Sequence, residues 1–92
     1  MATYLMLGKY TTEGVKGASA ARTKKVMKLI SAAGGRVNTI HALLGSHDLA
    51  MIVELPGNAK AVQMSFAISK ATGIAWTTLP AVPVEEFDRL IR

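Results

Sequence analysis

The chain has 92 residues, half of them hydrophobic, a formal net charge of +5 and no cysteine. This length suits one domain, and the lack of cysteine excludes disulfides, thiolate zinc sites and thiol nucleophiles. No apolar run approaches the roughly 20 residues of a membrane span. The first residues also lack the regions of a signal peptide, so we expect a cytoplasmic protein.

The first third of the chain predicts a strand and a helix. Residues 2–10 form a short apolar run that is typical of a strand. The TTEGVKG that follows predicts a loop or a single helical turn. Ser19 is a suitable N-cap for a helix over about 20–33, which Gly34 ends. The apolar stripe of this helix consists of Val26, Leu29, Ile30 and Ala33.

Two strands, over residues 36–44 and 48–55, flank Gly45-Ser46. Glycine at the first position of a two-residue loop favours a type II′ turn, in which residues 41 and 50 pair, as do 39 and 52. Alternation then divides the hairpin into two faces. The face expected under the helices carries Ile40, Ala42, Leu44, Leu49, Met51, Val53 and Leu55, with His47 at its rim. The other face mixes apolar and polar residues: Val37, Thr39, His41, Leu43, Asp48, Ala50, Ile52 and Glu54.

The rest of the chain predicts a helix, a strand and a helix. Asn58 is predicted to cap a helix over about 59–72. A strand over 74–79 and a short helix over 84–91 follow. The order β-α-β-β-α-β-α predicts a ferredoxin-like α+β fold, with a four-stranded antiparallel sheet and helices on one face. The whole chain, residues 1–92, is expected to be this single domain.

The mixed face of the hairpin has the composition of an interface that leaves a polar cavity. A small domain this rich in apolar residues favours self-association. We expect a homodimer or larger homo-oligomer that closes sheet to sheet, with any small-molecule pocket between the subunits. Tyr4, Met6 and Tyr10 are predicted to share this face, which leaves Leu5 and Leu7 for the core. The candidate ligand-binding residues are Tyr4, Tyr10, His41, Asp48 and Trp76.

His41 and Asp48 are diagonal neighbours in the predicted hairpin. A carboxylate beside an imidazole can orient it for acid/base chemistry, which makes these two the candidate catalytic residues. The same arrangement also occurs as a structural hydrogen-bonded pair, and both interpretations stay open. No cofactor is indicated, and two histidines without clustered carboxylates predict no metal site.

The positive charge is concentrated in residues 1–36, which hold seven basic residues and one acid. On the first helix these charges form either a solvated face or a docking surface for an acidic partner. No aromatic residues interleave with them, and residues 48–55 lack the aromatic run of RNA-recognition modules. Binding to nucleic acid is therefore not expected.

Three stretches, which together cover nearly the whole chain, resemble the GYD-domain family of small bacterial and archaeal proteins: TYLMLGKYTTEG, GGRVNTIHALLGSHDLAMIVELP and SKATGIAWTTLPAVPVEEF. The family is named for a Gly-x-Tyr-Asp motif after the second strand. In the corresponding segment, Gly45, Ser46, His47 and Asp48, the glycine and the aspartate match, and His47 stands where the family name has tyrosine. The resemblance implies a ferredoxin-like, dimeric α+β-barrel-type fold. It implies no activity, since the family's function is uncharacterised.

Three functional hypotheses follow. The first is a homo-oligomer that binds a small molecule between its sheets. The second is a cofactor-independent enzyme of the dimeric α+β-barrel kind, an isomerase or small monooxygenase, with His41 as acid/base, Asp48 as its orienter and Tyr4 or Tyr10 as a hydrogen-bond donor. The third is a structural or assembly module.

Overall fold

A computed structural model describes all of residues 1–92. Its elements are β1 (Ala2–Tyr10), α1 (Thr12–Lys16), α2 (Ala20–Ala32), β2 (Arg36–Ala42), β3 (Leu49–Leu55), α3 (Asn58–Thr72), β4 (Ile74–Ala81) and α4 (Val84–Leu90). The strands form one antiparallel sheet in the order β2-β3-β1-β4. This is the ferredoxin-like α+β arrangement predicted from the sequence. None of the helices is both long and apolar enough to cross a membrane.

Local capping explains where the two long helices begin and end. Ser19 caps α2 as predicted, because its Oγ accepts a 3.1 Å hydrogen bond from the backbone N–H of Arg22. Gly73 ends α3 with a positive φ of 70°, which costs glycine no steric strain. The prediction that Asn58 caps α3 was wrong. Gly57 holds the cap position, and the Oδ1 of Asn58 instead accepts a 2.6 Å hydrogen bond from the hydroxyl of Tyr4.

The core lies between one face of the sheet and helices α2 and α3. Its buried members are Tyr4, Met6, Val26, Ile30, Met51, Val53, Leu55, Ala61, Met64 and Ile68. The prediction that Tyr4, Met6 and Tyr10 share the helix-free face was wrong. Tyr4 pairs with Val53 and Met6 with Met51, so they lie among the core residues of β3. Leu5 and Leu7 take the opposite, helix-free face.

The β2–β3 hairpin keeps the predicted register near its loop. His41 pairs with Ala50 and Thr39 with Ile52, as the Gly-Ser turn predicted. The prediction of a two-residue turn was wrong, because β2 ends at Ala42, β3 begins at Leu49 and residues 43–48 form a longer loop. A 2.7 Å hydrogen bond from the backbone N–H of Leu43 to the backbone carbonyl of Asp48 closes that loop.

An irregularity between Val37 and Thr39 changes the faces at the far end of β2. Asn38 is the extra residue of this bulge. Val37 consequently pairs with Val53 and packs against the core, so its predicted place on the helix-free face was also wrong. Arg36 then lies opposite Glu54.

Candidate functional site

The helix-free face of the sheet is open and apolar at its centre. Ile52 of β3 and Leu79 of β4 are 40% and 43% exposed. Half-buried Leu5, which pairs with both, lies between them on β1. The polar residues of this face lie around that centre and include Thr39, His41, Glu54 and Thr77. A sheet face with exposed large apolar side chains at its centre and polar side chains around them is unusual for a surface that lies in water.

A groove of about 270 Å³ lies at one end of this face. Leu5 and Ile52 line it from the sheet, and Val82 and Pro83 line it from the turn after β4. The chain therefore leaves β4 on the helix-free side, and α4 begins beside the groove. Thr3 contributes a hydroxyl to the otherwise largely apolar wall.

Helix α4 buries none of its residues in the chain. Its exposed large apolar side chains, together with that of the residue after it, have helical spacing: Val84, Phe87, Leu90 and Ile91. An amphipathic helix of seven residues gains most of its stability from packing of its apolar side. In the isolated chain that packing is missing.

His41 and Asp48 do not form the predicted pair. The structure has no hydrogen bond or ion pair between them, and the side chain of His41 is exposed. Asp48 instead extends the pairing between β1 and β3. Its Oδ2 accepts a 2.7 Å hydrogen bond from the backbone N–H of Tyr10, and its own backbone N–H donates to the carbonyl of Gly8 at 2.8 Å. The imidazole–carboxylate contact that the enzyme hypothesis requires is absent from this geometry.

Tyr10 and Trp76, two of the predicted ligand-binding residues, lie together on the helix side of the sheet. They line a cavity of about 80 Å³ between the sheet and the start of α2. Arg22 of α2 lines the same cavity and lies over the Tyr10 ring, with 5.6 Å between Cζ and the ring centroid. Tyr4 is 1% exposed and contributes instead to a separate groove beside Asn58.

The ion pair between Arg36 and Glu54 lies at the bulged end of β2. The Nε of Arg36 donates to Oε2 of Glu54 at 2.8 Å, and its Nη2 lies 2.8 Å from the same oxygen. This hydrogen bond lowers the pKa of Glu54 below its ordinary value, and a hydrogen bond from the Asn38 side chain lowers it further. The bulge therefore places Arg36 opposite Glu54, and their ion pair joins the start of β2 to the end of β3.

The family model of the GYD domain matches residues 4–91. The chain belongs to the GYD-domain family. No curated protein matches its sequence.

In this GYD domain the residues at the naming motif have distinct structural roles. Gly45 adopts a φ of 136°, which disfavours any residue with a side chain. Asp48 joins β3 to β1 through the hydrogen bonds described above. His47 is half-buried, and its only side-chain hydrogen-bond partner is the adjacent Ser46, whose Oγ lies 3.4 Å from Nδ1.

Two further expectations concern charge. No three side chains of histidine, cysteine, aspartate or glutamate cluster in a way that could hold a metal ion. Lys24, Lys25 and Lys28 lie exposed on α2. A docking surface for an acidic partner on that helix stays a prediction.

Proposed function

We propose that this GYD domain works as a homo-oligomer, with a dimer as its basic unit, that binds a small molecule at the sheet face between subunits. The observation that carries the proposal is the exposed, apolar centre of the helix-free face around Leu5, Ile52 and Leu79. Isolated exposed apolar residues are ordinary, but a contiguous patch on a sheet face marks an interaction site. A second copy offers the same patch, so the two faces are self-complementary under a twofold axis.

The sheet face alone supplies about half the area of a standard interface. Strands about 4.8 Å apart and about seven residues long at about 3.3 Å per residue give a four-stranded face of roughly 19 by 23 Å, or about 440 Å². A standard interface buries about 800 Å² on each partner. The exposed apolar side chains of α4, which begins beside this face, are suited to supply the remaining interface area.

The groove beside Leu5 and Ile52 is the place where a ligand fits such a dimer. A second sheet laid on this face would cover the groove and close it from water. Its volume of about 270 Å³ is near the lower end of the range of about 300–1,000 Å³ found for ligand pockets. The walls favour a small, mainly apolar molecule with one polar group, which the hydroxyl of Thr3 can meet.

A matched pair of variants tests the dimer. Ile52→Glu places a carboxylate at the centre of the proposed interface, whereas Val62→Glu changes a side chain that is 69% exposed on α3. A buried unpaired charge costs about 3–5 kcal/mol, so the dimer dissociation constant of I52E should rise at least about 100-fold. Analytical ultracentrifugation should find wild type and V62E dimeric and I52E monomeric. Monomeric wild type, or equal behaviour of both variants, contradicts the proposal.

A thermal-shift screen against small apolar metabolites tests ligand binding. A compound that occupies the closed groove should raise the melting temperature of wild type and V62E, because binding to the folded state alone stabilises it. Leu79→Glu places a charge on the same face without changing a wall of the groove, so the compound should have no effect on this monomeric variant. A compound that stabilises L79E equally does not bind between subunits, and a dimer that responds to no compound removes the ligand-binding half of the proposal.

A further inference from the structure

We infer that helix α4 of one subunit docks on a second copy of this chain, at the far end of that copy's sheet face and against its loop of residues 43–48. This inference rests on the proposed dimer and names the surfaces that meet in it. Two uncovered apolar features carry it. One is the apolar side of α4, and the other is the loop, where Leu43 and Leu44 are exposed.

The two apolar features lie at opposite ends of the sheet. Helix α4 follows Ala81, which pairs with Thr3 near the start of β1. The loop precedes Leu49, which pairs with Gly8 near the end of β1. Five residues of a strand separate these two positions, a distance of about 16 Å. Within one subunit the helix and the loop do not cover each other, because Leu44 is fully exposed and α4 buries none of its residues.

The direction of the twofold axis decides which features meet. An axis that runs along the strands, between two sheets packed face to face, places α4 on α4 and loop on loop. An axis that runs across the strands reverses their direction, so α4 of each subunit meets the loop of the other and the contact forms twice. The two arrangements bring different charges together.

The charges of α4 favour the axis across the strands. At about 100° per residue around a helix, Glu86 and Asp88 flank the apolar stripe of α4, one on each side. An axis along the strands places these acids against their own copies. Like charges that face each other across an interface destabilise it, so this arrangement is disfavoured.

The loop end of the face offers a charge of the opposite sign. Lys9 follows Leu7 in the alternation of β1, so it lies on the helix-free face, where it is exposed and forms no ion pair within the chain. His41 lies exposed on the same half of the face. Asp48, the acid of the loop, already accepts a hydrogen bond from the backbone N–H of Tyr10. The acids of α4 therefore meet an available cation when the axis runs across the strands.

The docking of α4 also supplies interface area. Seven helical residues form a helix about 10 Å long and about 10 Å wide, so one docked α4 covers about 100 Å². Each subunit takes part in two such contacts, once with its helix and once with its loop. Together with the roughly 440 Å² of the sheet face, the contact reaches about 640 Å² on each partner, within the range of about 600–1,000 Å² for stable interfaces.

Cysteine cross-linking tests which surfaces meet, because the chain itself has no cysteine. Leu44→Cys labels the loop and Leu90→Cys labels the apolar side of α4; both side chains are exposed, so both variants should fold. Val62→Cys is the control, since Val62 is as exposed as Leu90 but lies on α3, on the other side of the sheet. The variants are mixed in pairs, with an affinity tag on one member, treated with a short bis-maleimide and separated by denaturing electrophoresis.

The mixture of L44C and L90C should give a covalent mixed dimer. Neither variant should link to a copy of itself or to V62C. Linkage of L90C to itself would show that α4 meets α4 and overturns the inference. The inference is also overturned if the mixture is dimeric in analytical ultracentrifugation and gives no product that joins L44C to L90C, although the proposed dimer then stands. A monomeric wild type removes the proposed dimer and this inference with it.

Charge reversal provides a second test. Lys9→Glu should raise the dimer dissociation constant about tenfold, because it places like charges together at both copies of the contact. Adding Glu86→Lys and Asp88→Lys to K9E should return the constant to within about threefold of wild type. Lys25→Glu makes the same change of charge at an exposed position of α2, away from the sheet face, and should leave the constant unchanged. Equal effects of K9E and K25E, or a K9E variant that the changes on α4 do not rescue, overturn the inference.

Discussion

Gly8 is the position where one added methyl group tests the packing around Trp76. A Cβ here would lie 2.9 and 3.0 Å from Cζ3 and Cη2 of the indole and 3.1 Å from Cγ2 of Ile74. Carbon atoms pack best at about 3.5–4.0 Å, so Gly8→Ala must displace the ring by several tenths of an ångström. Such overpacking costs about 1–3 kcal/mol. The sign of the change in stability is informative, because a strand with alanine is otherwise more stable than one with glycine by roughly 0.5–1 kcal/mol.

With about 2 kcal/mol for overpacking, the middle of its range, the net expectation for G8A is a loss of about 1–1.5 kcal/mol in the free energy of unfolding, measured by urea denaturation at one protein concentration. In a domain of this size that lowers the melting temperature by roughly 4–12 °C. The emission of Trp76 should shift at the same time, since its ring moves. Gly57→Ala is the control, because its Cβ would meet nothing within 4 Å and its φ of 170° is ordinary extended backbone. If G8A matches G57A in stability and keeps the wild-type emission, the packing argument is refuted.

Three further predictions concern the strand ends. Asp48→Ala should lower the free energy of unfolding by about 1–3 kcal/mol, because the backbone N–H of Tyr10 loses its acceptor. Asp48→Asn keeps an acceptor oxygen and should lose less. Equal losses of the two variants in urea denaturation contradict this prediction. Gly35→Ala should give no soluble folded protein, because its Cβ would lie 2.2 Å from the carbonyl oxygen of Glu54. Gly34→Ala is the control: its φ is 83° and its nearest neighbour lies at 3.7 Å, so it should fold with a loss of about 1–2 kcal/mol in the free energy of unfolding. Similar solubility of the two variants contradicts this prediction. The pKa of Glu54 is lowered in the folded protein, so its ion pair stabilises the fold. This contribution to stability is fully present at pH values above the ordinary pKa of 4.5 and is lost as the pH falls through the lower pKa of the folded state. NMR titration should find that pKa below 4.5 in wild type and higher in Arg36→Gln, and an unchanged pKa in the variant contradicts the assignment.

The start of α2 and the end of α3 could be predicted from the sequence because local chemistry determines them, whereas the start of α3 and the loop between β2 and β3 could not. Ser19 satisfies an N–H of the first turn of α2, and Gly73 takes the left-handed conformation that ends α3, so both ends are encoded within a few residues. The orientation of β1 could not be predicted in this way. Its segment Tyr-Leu-Met-Leu is apolar at every position, so alternation does not distinguish its two faces. Only the pairing of Tyr4 with Val53 across the sheet decides which face is buried.

The candidate site was predictable in its residue types but not in its grouping. Tyr10 and Trp76 were recognised as ligand candidates, and they do line one cavity. The prediction placed Tyr10 with His41 because it assigned β1 to the wrong face. Arg22 was missed because in the sequence it is one of several basic residues of a solvated helix. Its half-buried position depends on helix α1, where the carbonyl of Gly14 accepts a hydrogen bond from Nη1 of Arg22. No local pattern in the sequence encodes that contact.

The residues of the naming motif differ in what the fold requires of them. Gly45 requires a φ of 136°, so a side chain there would be strained. Asp48 needs a carboxylate or similar acceptor, because it supplies the hydrogen bond that continues the pairing of β1 beyond its last ladder residue. His47, between them, has the adjacent Ser46 as its side-chain hydrogen-bond partner, with 3.4 Å between Oγ and Nδ1. The glycine and the aspartate of the motif therefore each have a role in the fold that depends on the residue type: a left-handed backbone at Gly45 and an acceptor for the N–H of Tyr10 at Asp48.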